Sequence, residues 1–334
     1  MERSAGMETP YLLRDEQDEF VIAADLGGTY LRAALIDARG VVHHRSKRET
    51  PKDGSAEEIA LALIAAAREC AEGNEGGGGV NAIRAFSVVV PGTVKVETGT
   101  ITKAPNLPCL DGFNLSARLE SELPWRAVLE NDANAAAVGE RWRGAAAGVD
   151  SLICLTLGTG VGGGIILNGE LWRGASGAAG EIGHIGVEPQ GFPCPCGSRG
   201  CLEVYASATA VVRIARKMIG RFPDAQIQAD TELTAEKIYN LGVEGHEFAV
   251  ETFARVGFYL GVAFASLANI LNPEMIVIGG GVANGWDLFI EHARREMYAR
   301  AFAQPARRVQ IVPARCGDDA GLLGAARLGF TARK

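Results

Sequence analysis

The chain has 334 residues, 47% of them hydrophobic, and a formal net charge of −7 from 33 basic and 40 acidic side chains. This length exceeds one ordinary domain and predicts two lobes, and the charge argues against nucleic-acid binding, which usually needs a basic patch. Seven cysteines predict a reducing, cytoplasmic compartment rather than a disulfide framework. Residues 1–19 are polar, lack the apolar centre of a signal peptide and predict a flexible tail.

The first two predicted strands, Phe20–Leu26 and Tyr30–Asp37, are joined by the glycine turn Gly27-Gly28-Thr29. Consecutive glycines let backbone N–H groups converge on an anion, and the Thr29 hydroxyl adds a donor, so the turn predicts a phosphate site. Asp25 lies near the end of an apolar strand, where a charge is costly without a partner. A magnesium-linked phosphate would provide one; a turn-stabilising aspartate is the alternative.

A third strand is predicted over Val41–Arg45 and a helix over Ile59–Cys70. Ser55 and Glu58 have the spacing of a capping box, in which each side chain accepts a hydrogen bond from the other residue's backbone. The helix is therefore expected to begin just after Ser55.

Glu130-Asn131-Asp132 closes a predicted strand over Ala127–Leu129 and opens a predicted helix over Ala133–Trp142. Asn and Asp are preferred helix N-caps, so capping is one interpretation. The other is catalytic, because open α/β sheets bind ligands at the carboxyl ends of strands, where Asp132 could accept a proton from a sugar hydroxyl. Asn131 and Asn106 offer the amide groups that a polyhydroxylated ligand needs, although Asn106 also suits a turn.

A second strand–glycine–strand unit predicts that the chain contains two copies of one domain. Ser151–Leu157 ends in Gly158-Thr159-Gly160, a strand over Gly162–Leu167 follows, and Asn168-Gly169 is a strong hairpin signal. The glycines match the dinucleotide-binding spacing, with Glu181 downstream as a candidate ribose ligand. That motif requires a helix directly after the glycines, so this context excludes it. A second phosphate loop remains.

One histidine and three cysteines within eighteen residues predict a zinc site. They are His184, Cys194, Cys196 and Cys201. Four such ligands complete a tetrahedron around Zn²⁺, which makes the metal structural rather than catalytic. Three unrelated buried thiols are the alternative, but core cysteines do not usually crowd into a loop rich in glycine and proline.

The most apolar segment, Val256–Leu271, has sixteen residues, fewer than the ~20 needed to cross a bilayer, and is predicted as a buried helix. A strand over Met275–Ile278 follows, and then the glycines Gly279, Gly280 and Gly281 lead to a helix near Trp286–Ala301. The flat surface of these glycines could accept the base and sugar of a nucleotide. A plain strand-to-helix turn is equally compatible with them.

With these residues the chain resembles the ROK sugar kinases, and among them the bacterial glucokinases, from about Val21 to Phe330. The matching motifs are Asp25-Leu-Gly-Gly-Thr29, Asn106-Leu-Pro, Glu130-Asn-Asp-Ala-Asn-Ala-Ala-Ala137, Leu157-Gly-Thr-Gly-Val-Gly-Gly-Gly164, Gly180-Glu-Ile-Gly-His184, Cys194-x-Cys-Gly-x-x-Gly-Cys201-x-Glu203 and Gly317-Asp-Asp-Ala-Gly321. No motif position departs from the family pattern.

The resemblance implies an α/β, actin-like and hexokinase-like (ribonuclease H-like) duplicated fold with a cleft between two lobes. The lobes would be 20–132 and 133–317, with the zinc loop 184–203 in the second and a final helix, about 318–330, returning to the first. It also implies ATP-dependent phosphorylation of the 6-hydroxyl of glucose, with Mg²⁺ and a structural Zn²⁺ as cofactors.

The resemblance assigns roles to matching residues. Asp132 is the implied general base. The implied sugar ligands are Gly92, Asn106, Asn131, Asp132, Glu181, His184 and Glu203. The implied nucleotide-binding residues are Asp25 (near magnesium), Gly27, Gly28, Thr29, Gly158, Thr159, Gly160, Gly279, Gly280 and Gly281.

Several alternatives stay open within the resemblance. The sugar could be N-acetylmannosamine, N-acetylglucosamine, allose or fructose, and the donor could be polyphosphate. The family also contains sugar-responsive repressors with a preceding helix-turn-helix domain, but about nineteen residues before the first strand are too few for that domain. The partners implied are a sugar and a nucleotide, with no nucleic acid and no membrane, and a homo-oligomer, either a dimer or a tetramer.

Overall fold

We describe the fold from a computed structural model, which covers residues 19–73, 79–222 and 232–332. The predicted tail 1–19 lies outside these residues except for Glu19. The first half of the chain forms β1 (Phe20–Leu26), β2 (Tyr30–Asp37), β3 (Val42–Glu49), α1 (Ala56–Glu72), β4 (Ile83–Val90), β5 (Thr93–Lys95), β6 (Thr100–Lys103), α2 (Leu115–Glu120), β7 (Arg126–Asn131) and α3 (Asp132–Arg143).

The second half forms β8 (Leu152–Leu157), β9 (Val161–Leu167), β10 (Glu170–Leu171), α4 (Glu203–Ala206), α5 (Ala208–Ile219), α6 (Ala235–Val243), α7 (Glu247–Leu271), β11 (Met275–Gly279), α8 (Trp286–Arg300), α9 (Ala303–Arg308), β12 (Gln310–Pro313) and α10 (Ala320–Thr331). A short 3₁₀ turn over Gly281–Gly285 connects β11 to α8.

The two halves repeat one sheet topology. The first sheet has the order β3-β2-β1-β4-β7 and the second the order β10-β9-β8-β11-β12. In each sheet, the first three strands in sequence form an antiparallel meander. The fourth strand then pairs in parallel with the first, and the fifth pairs in parallel with the fourth. The predicted duplication is therefore confirmed, and both glycine turns lie at corresponding positions, between the first and second strands of each sheet.

Local sequence signals explain how these elements begin and end. Ser55 accepts a hydrogen bond from the Glu58 backbone, and the Glu58 side chain accepts one from the Ser55 backbone, so the predicted capping box is confirmed. Asn168 and Gly169 have φ values of 51° and 81°, the left-handed conformation that a tight hairpin between β9 and β10 requires.

The apolar helix α7 is longer than the sequence predicted. It begins at Glu247, nine residues before Val256, and has 25 residues, enough by length and composition to cross a membrane. The length argument against a span was therefore wrong. Phe248, Thr252 and Phe253 on the added turns are buried, and α7 packs against α5, α6 and α8. We interpret it as a core helix of the second half.

The C-terminal helix α10 packs on the first sheet, not the second. Leu322, Ala325 and Phe330 of α10 share an apolar cluster with β1, β2 and β4, and Ala135 of α3 joins it. Gly324 lies so close to α3 that a Cβ atom there would meet the Ala135 carbonyl oxygen at 1.8 Å. The neighbouring helices α3 and α10 thus connect the two sheets.

Candidate active site

Three adjoining cavities form one groove, and the first two of them are lined by residues of both halves of the chain. A recess of about 50 Å³ includes Asn131, Asp132 and Glu181 in its wall. It meets, at Asp132, a cavity of about 460 Å³ that is also lined by Asp25. That cavity in turn shares Gly281 with a third, of about 760 Å³. Ligand pockets usually measure about 300–1,000 Å³, so the two larger cavities have the size of ligand pockets, whereas the recess is smaller than a ligand pocket.

Asp132 is exposed to the groove at the first residue of α3. Its Oδ1 accepts hydrogen bonds from the Ala133 backbone N–H (2.8 Å) and from Asn131 Nδ2 (3.0 Å). Within the described chain, no hydrogen bond is found to Oδ2. The N-cap of α3 is Asn131, whose Oδ1 accepts from Asn134 N at 3.0 Å. Capping therefore belongs to Asn131, and Asp132 has one oxygen to offer to a ligand.

The Asp132 carboxyl is also a weaker acid than an ordinary aspartate, because its pKa is raised. Its carboxylate opens to the groove on one side, while protein surrounds it on the others. Desolvation by this protein, and secondarily the negative charge of Asp25, raises the pKa of Asp132 to about 6, although the Ala133 N–H opposes the shift. A carboxylate with a pKa near the working pH suits a general base.

A buried carboxylate holds the segment that carries Asp132. Glu130 is 3% exposed, and its Oε1 accepts hydrogen bonds from Asn131 N and Asn134 Nδ2, each at 3.0 Å. Its Oε2 accepts from Arg173 Nε at 2.7 Å. This fully partnered charge fixes the start of α3 and thereby the direction of Asp132. The sequence analysis did not identify Arg173, which lies 43 residues from Glu130.

The first glycine turn lies between two residues that line the groove, Asp25 and Arg32, but of the described residues that line the three cavities none belongs to Gly27–Thr29. Gly27 N donates to Tyr30 O at 3.0 Å, which closes the turn. Thr50, directly after β3, donates from Oγ1 to Gly27 O at 2.7 Å and so holds the turn in place. A Cβ atom at Gly28 would lie 3.8 Å from Asn106 Cβ. Asp25 forms an ion pair with Arg32, and both line the central cavity.

The second glycine turn is held by the segment after the cysteines. Glu203 Oε2 accepts from Val161 N at 3.0 Å, and Ala208 N donates to Gly158 O at 2.8 Å. A side chain at Gly160 would collide with Glu203 Oε2, at 2.5 Å from the Cβ position. Gly158 and Thr159 line the largest cavity. A strand, β9, follows the turn, so the exclusion of a dinucleotide-binding motif is confirmed.

Gly162, Gly163 and Gly164 have a packing role in β9. Cβ atoms at Gly162 and Gly164 would lie 2.9 Å and 2.7 Å from the Cβ atoms of Ala133 and Ala137 on α3. A Cβ at Gly163 would lie 2.6 Å from Gly180 O on the opposite face. These glycines let α3 and the Glu181 segment approach the sheet closely.

The largest of the three groove cavities lies between α6, α7 and the turn after β11. Gly281, Asn284 and Gly285 form one wall, and Glu236, Tyr239, Asn240 and Phe253 form another. Gly280 has a φ of 86°, and a Cβ there would meet Leu157 O at 2.5 Å, so only glycine fits. The α6 residues were missed because they carry no motif.

Four side chains converge to form a candidate metal centre. One ligand atom from each of His184, Cys194, Cys196 and Cys201 lies within 4.8 Å of the other three. Both Cys196 Sγ–Cys201 Sγ and Cys194 Sγ–His184 Nδ1 measure 3.7 Å. Zn–S bonds of about 2.3 Å in a tetrahedron would place sulfur atoms about 3.8 Å apart. The four residues therefore fit Zn²⁺.

His184 connects this cluster to Glu181. Its Nδ1 faces Cys194, while its Nε2 lies 3.9 Å from Glu181 Oε2. The loop between the ligands uses Gly197 and Gly200, with φ values of 93° and 71°. Its Phe192 N donates to Tyr205 Oη at 3.1 Å, which anchors the loop to α4.

The structure brings only part of the predicted sugar set into the recess. Asn131, Asp132 and Glu181 line it, together with Thr93, Gly177 and Gly180, which the sequence analysis missed. Gly92 lies behind Asn131, because its carbonyl accepts from Asn131 Nδ2 at 3.0 Å. Three predicted sugar ligands, Asn106, His184 and Glu203, are not among the described residues that line the recess.

Comparisons with known proteins agree with this geometry. The ROK family profile matches residues 21–331. A glucokinase of Halalkalibacterium halodurans is 36% identical over 92% of this chain and 94% of its own length. A xylose repressor of Caldicellulosiruptor bescii is 31% identical over 96% of this chain and 81% of its own length.

Among solved structures, a ROK family glucokinase from Streptomyces griseus in complex with glucose and AMPPNP superposes with a TM-score of 0.78 and 34% identity, covering 94% of this chain and 100% of that one. The predicted α/β, actin-like and hexokinase-like fold is thereby confirmed. The matches to the family profile and to these relatives show that the chain belongs to the ROK family.

Proposed function

We propose that this chain transfers the γ-phosphoryl group of ATP to the 6-hydroxyl of glucose, with Asp132 as the general base. The main observation behind this proposal is the position of Asp132, at the junction of the recess with the cavity that Asp25 lines. Its raised pKa of about 6 suits a general base. The relatives that support it are a glucokinase and the structure of a ROK family glucokinase in complex with glucose and AMPPNP.

The proposed reaction needs the acceptor hydroxyl within hydrogen-bond reach of Asp132 Oδ2. Asn131 and Ala133 hold Oδ1, so the second oxygen points to a fixed place. As the hydroxyl oxygen attacks the γ-phosphorus, its proton passes to Oδ2, and ADP leaves. Phosphoryl transfer depends on such positioning more than on covalent chemistry.

The nucleotide would lie along the rest of the groove. In the turns Gly27–Thr29 and Gly158–Gly160, the N–H groups of Gly27 and Gly158 donate within the turn, to Tyr30 O and Gly160 O. The other backbone N–H groups of the two turns would bind the phosphates, and Gly279–Gly281 would lie against the adenosine. Bound Mg²⁺ would spread the charge of the transferred phosphoryl group. Asp25 suits that ion, because Mg²⁺ prefers one or two carboxylates with phosphate and water oxygens, and Asp25 already lines the cavity.

The zinc cluster would order the sugar side of the groove without taking part in phosphoryl transfer. With Zn²⁺ on Nδ1, His184 keeps Nε2 for Glu181 or a sugar hydroxyl. Two residues beyond Cys201, Glu203 holds Val161 at the second glycine turn. For Asn106, Gly92, His184 and Glu203, sugar contact requires that the walls of the groove move towards the recess. Such closure would also exclude water.

We propose the lobes as 20–132 with 318–330, and 133–317, in a cytoplasmic homo-oligomer. A sugar-responsive regulator is the second candidate, because a xylose repressor aligns with 96% of this chain. Such a regulator would bind sugar without turnover.

The deciding experiment is coupled ADP release by the purified protein against glucose, mannose, fructose, allose, N-acetylglucosamine and N-acetylmannosamine. The proposal expects the highest kcat/KM with glucose. A higher value with an N-acetylhexosamine would reassign the substrate, and sugar binding without ADP release would favour a regulator. A parallel series with polyphosphate identifies the donor.

A further inference from the structure

A second large cavity lies behind α3, away from the groove. It measures about 630 Å³, close to the size of the largest groove cavity. Val138, Arg141 and Trp142 of α3 line it, whereas Ala133, Ala136 and Glu140 line the groove. Because consecutive helical residues turn by about 100°, these two sets lie on roughly opposite faces of α3. The cavity is thus separate from the proposed active site.

This rear cavity is lined by both halves of the molecule. The edge strand β7 and the helix α10, which packs on the first sheet, form one side. The edge strand β10 and the segment to Arg173, from the second sheet, form the other. A ligand here would contact both sheets at once.

The polar lining is mostly cationic. Arg126, Arg141, Arg173 and Arg327 line the cavity, against one carboxylate, Glu170. Asp150 pairs with Arg141 at 2.9 Å, and Glu130 pairs with Arg173 at 2.7 Å. Arg327 lies over the ring of Trp142 at 5.8 Å, and no carboxylate of the described chain forms an ion pair with it. One guanidinium group can donate two parallel hydrogen bonds to two oxygens of a phosphate, so this lining is suited to a phosphate group.

Arg173 links the rear cavity to the catalytic segment. Its Nε holds Glu130, and Glu130 in turn orients Asn131 and Asn134. Within the described residues, no hydrogen bond is found from the other two nitrogens of this guanidinium, and they can donate to a second acceptor, since a guanidinium carries five N–H donors. A ligand bound to Arg173 would therefore act on the start of α3 through one side chain.

We propose that the rear cavity binds a small phosphate-bearing molecule, held by Arg327 and Arg173, which weakens sugar binding in the groove. An anion shared by both sides draws the edges of the two sheets together behind α3. That movement opposes their approach in front of α3, where the sugar binds. Allosteric coupling of this kind usually changes affinity by about 5–150-fold. The effect on the sugar depends on the proposed function, whereas anion binding itself does not.

Isothermal titration calorimetry of the full chain tests the binding. The groove is first saturated with glucose and AMPPNP, and inorganic phosphate or glucose 6-phosphate is then titrated. We expect one further site per chain, with a Kd below about 1 mM in the glucose-free protein and about fivefold or more weaker with glucose bound, because the coupling between two binding sites is reciprocal. Binding of both probes shows recognition of the phosphate group, and binding of glucose 6-phosphate alone shows that the sugar contributes.

Two variants assign the site. Arg327→Gln should weaken the further binding at least tenfold, while Arg308→Gln, an exposed arginine on α9, should leave it unchanged. Glu170→Gln removes the opposing charge and should tighten binding, which keeps the test informative if Arg327→Gln does not fold. No further heat up to about 10 mM of either probe, or equal binding by wild type and Arg327→Gln, would overturn the proposal.

A kinetic test addresses the coupling. Saturating inorganic phosphate should raise the KM for glucose about fivefold or more in the wild type, and should leave the KM of Arg327→Gln unchanged. An unchanged KM in the wild type contradicts the coupling. If glucose and AMPPNP do not bind at all, the proposed function fails, while the anion titration of the free protein and of Arg327→Gln still tests the rear cavity.

Discussion

Replacing Asp132 by Asn separates its proposed catalytic role from a structural one. Asn keeps an oxygen for the Ala133 N–H and the Asn131 amide, so the start of α3 should keep its geometry. It cannot take the proton of the acceptor hydroxyl. General-base catalysis contributes about 10²–10⁴-fold, so we expect kcat to fall by that factor, or about 3–5 kcal/mol in the barrier, with little change in sugar affinity.

The same substitution should not destabilise the protein. The pKa of Asp132 rises from 3.8 to about 6 in the folded state, so folding disfavours its charge. This cost is present above about pH 6 and disappears by about pH 4, because the carboxyl is then protonated in both states. Two pKa units correspond to nearly 3 kcal/mol, but solvent screening of this accessible group reduces the gain to about 1 kcal/mol or less.

The control is Asp287→Asn, in the first turn of α8. It removes an equivalent exposed charge beside a helix N-terminus, which should cost about 0.3–1 kcal/mol and leave kcat unchanged. The assay pairs steady-state kinetics with thermal unfolding at pH 7.5. A parallel loss of Tm and kcat in Asp132→Asn, with weakened sugar binding, would refute catalysis by Asp132 and favour a structural role.

Three further predictions concern other parts of the site. The kcat/KM for sugar should fall tenfold per pH unit below about pH 6, as Asp132 becomes protonated; a flat profile from pH 5 to 8 contradicts its role as base. Cys196→Ser should lose zinc, measured by mass spectrometry, and raise the sugar KM together with a lower Tm. Cys109→Ser should change none of these, and a folded, metal-free Cys196→Ser with normal KM rejects the zinc hypothesis. Gly280→Ala, at φ 86°, should cost at least about 1 kcal/mol, whereas Gly281→Ala, whose Cβ meets no atom within 4 Å, should keep the wild-type Tm.

The duplicated sheets and the cluster of His184 with three cysteines were predictable because their signals are local. Each glycine turn joins two apolar strands that are adjacent in sequence, and the four candidate zinc ligands lie within eighteen residues. Backbone geometry over such short distances depends mainly on glycine and on turn-forming residues. The antiparallel pairing across each glycine turn and the convergence of His184 with the cysteines follow from these local signals, whereas the parallel pairs of each sheet join strands far apart in sequence.

The remaining site features depend on contacts between distant segments. Arg173 meets Glu130 across 43 residues, and α6 faces the turn after β11 across the largest cavity. Neither contact leaves a periodic or spaced pattern. The start of α7 was predictable in part, because Phe248, Thr252 and Val256 repeat at helical spacing, but Glu251 and Arg255 interrupt the apolar run on the outer face. A search for a continuous apolar run therefore missed the first two turns of the helix.

The central claim is that Asp132 delivers a sugar hydroxyl to the γ-phosphorus of ATP. Phosphorus-31 NMR of the products of ATP and glucose tests it most directly, because the coupling to the attached protons identifies the phosphorylated carbon. The account predicts ADP and glucose 6-phosphate in equal amounts with the wild type, and at least about a hundredfold less with Asp132→Asn. Inorganic phosphate in place of a sugar phosphate, or phosphate on another carbon, would contradict it.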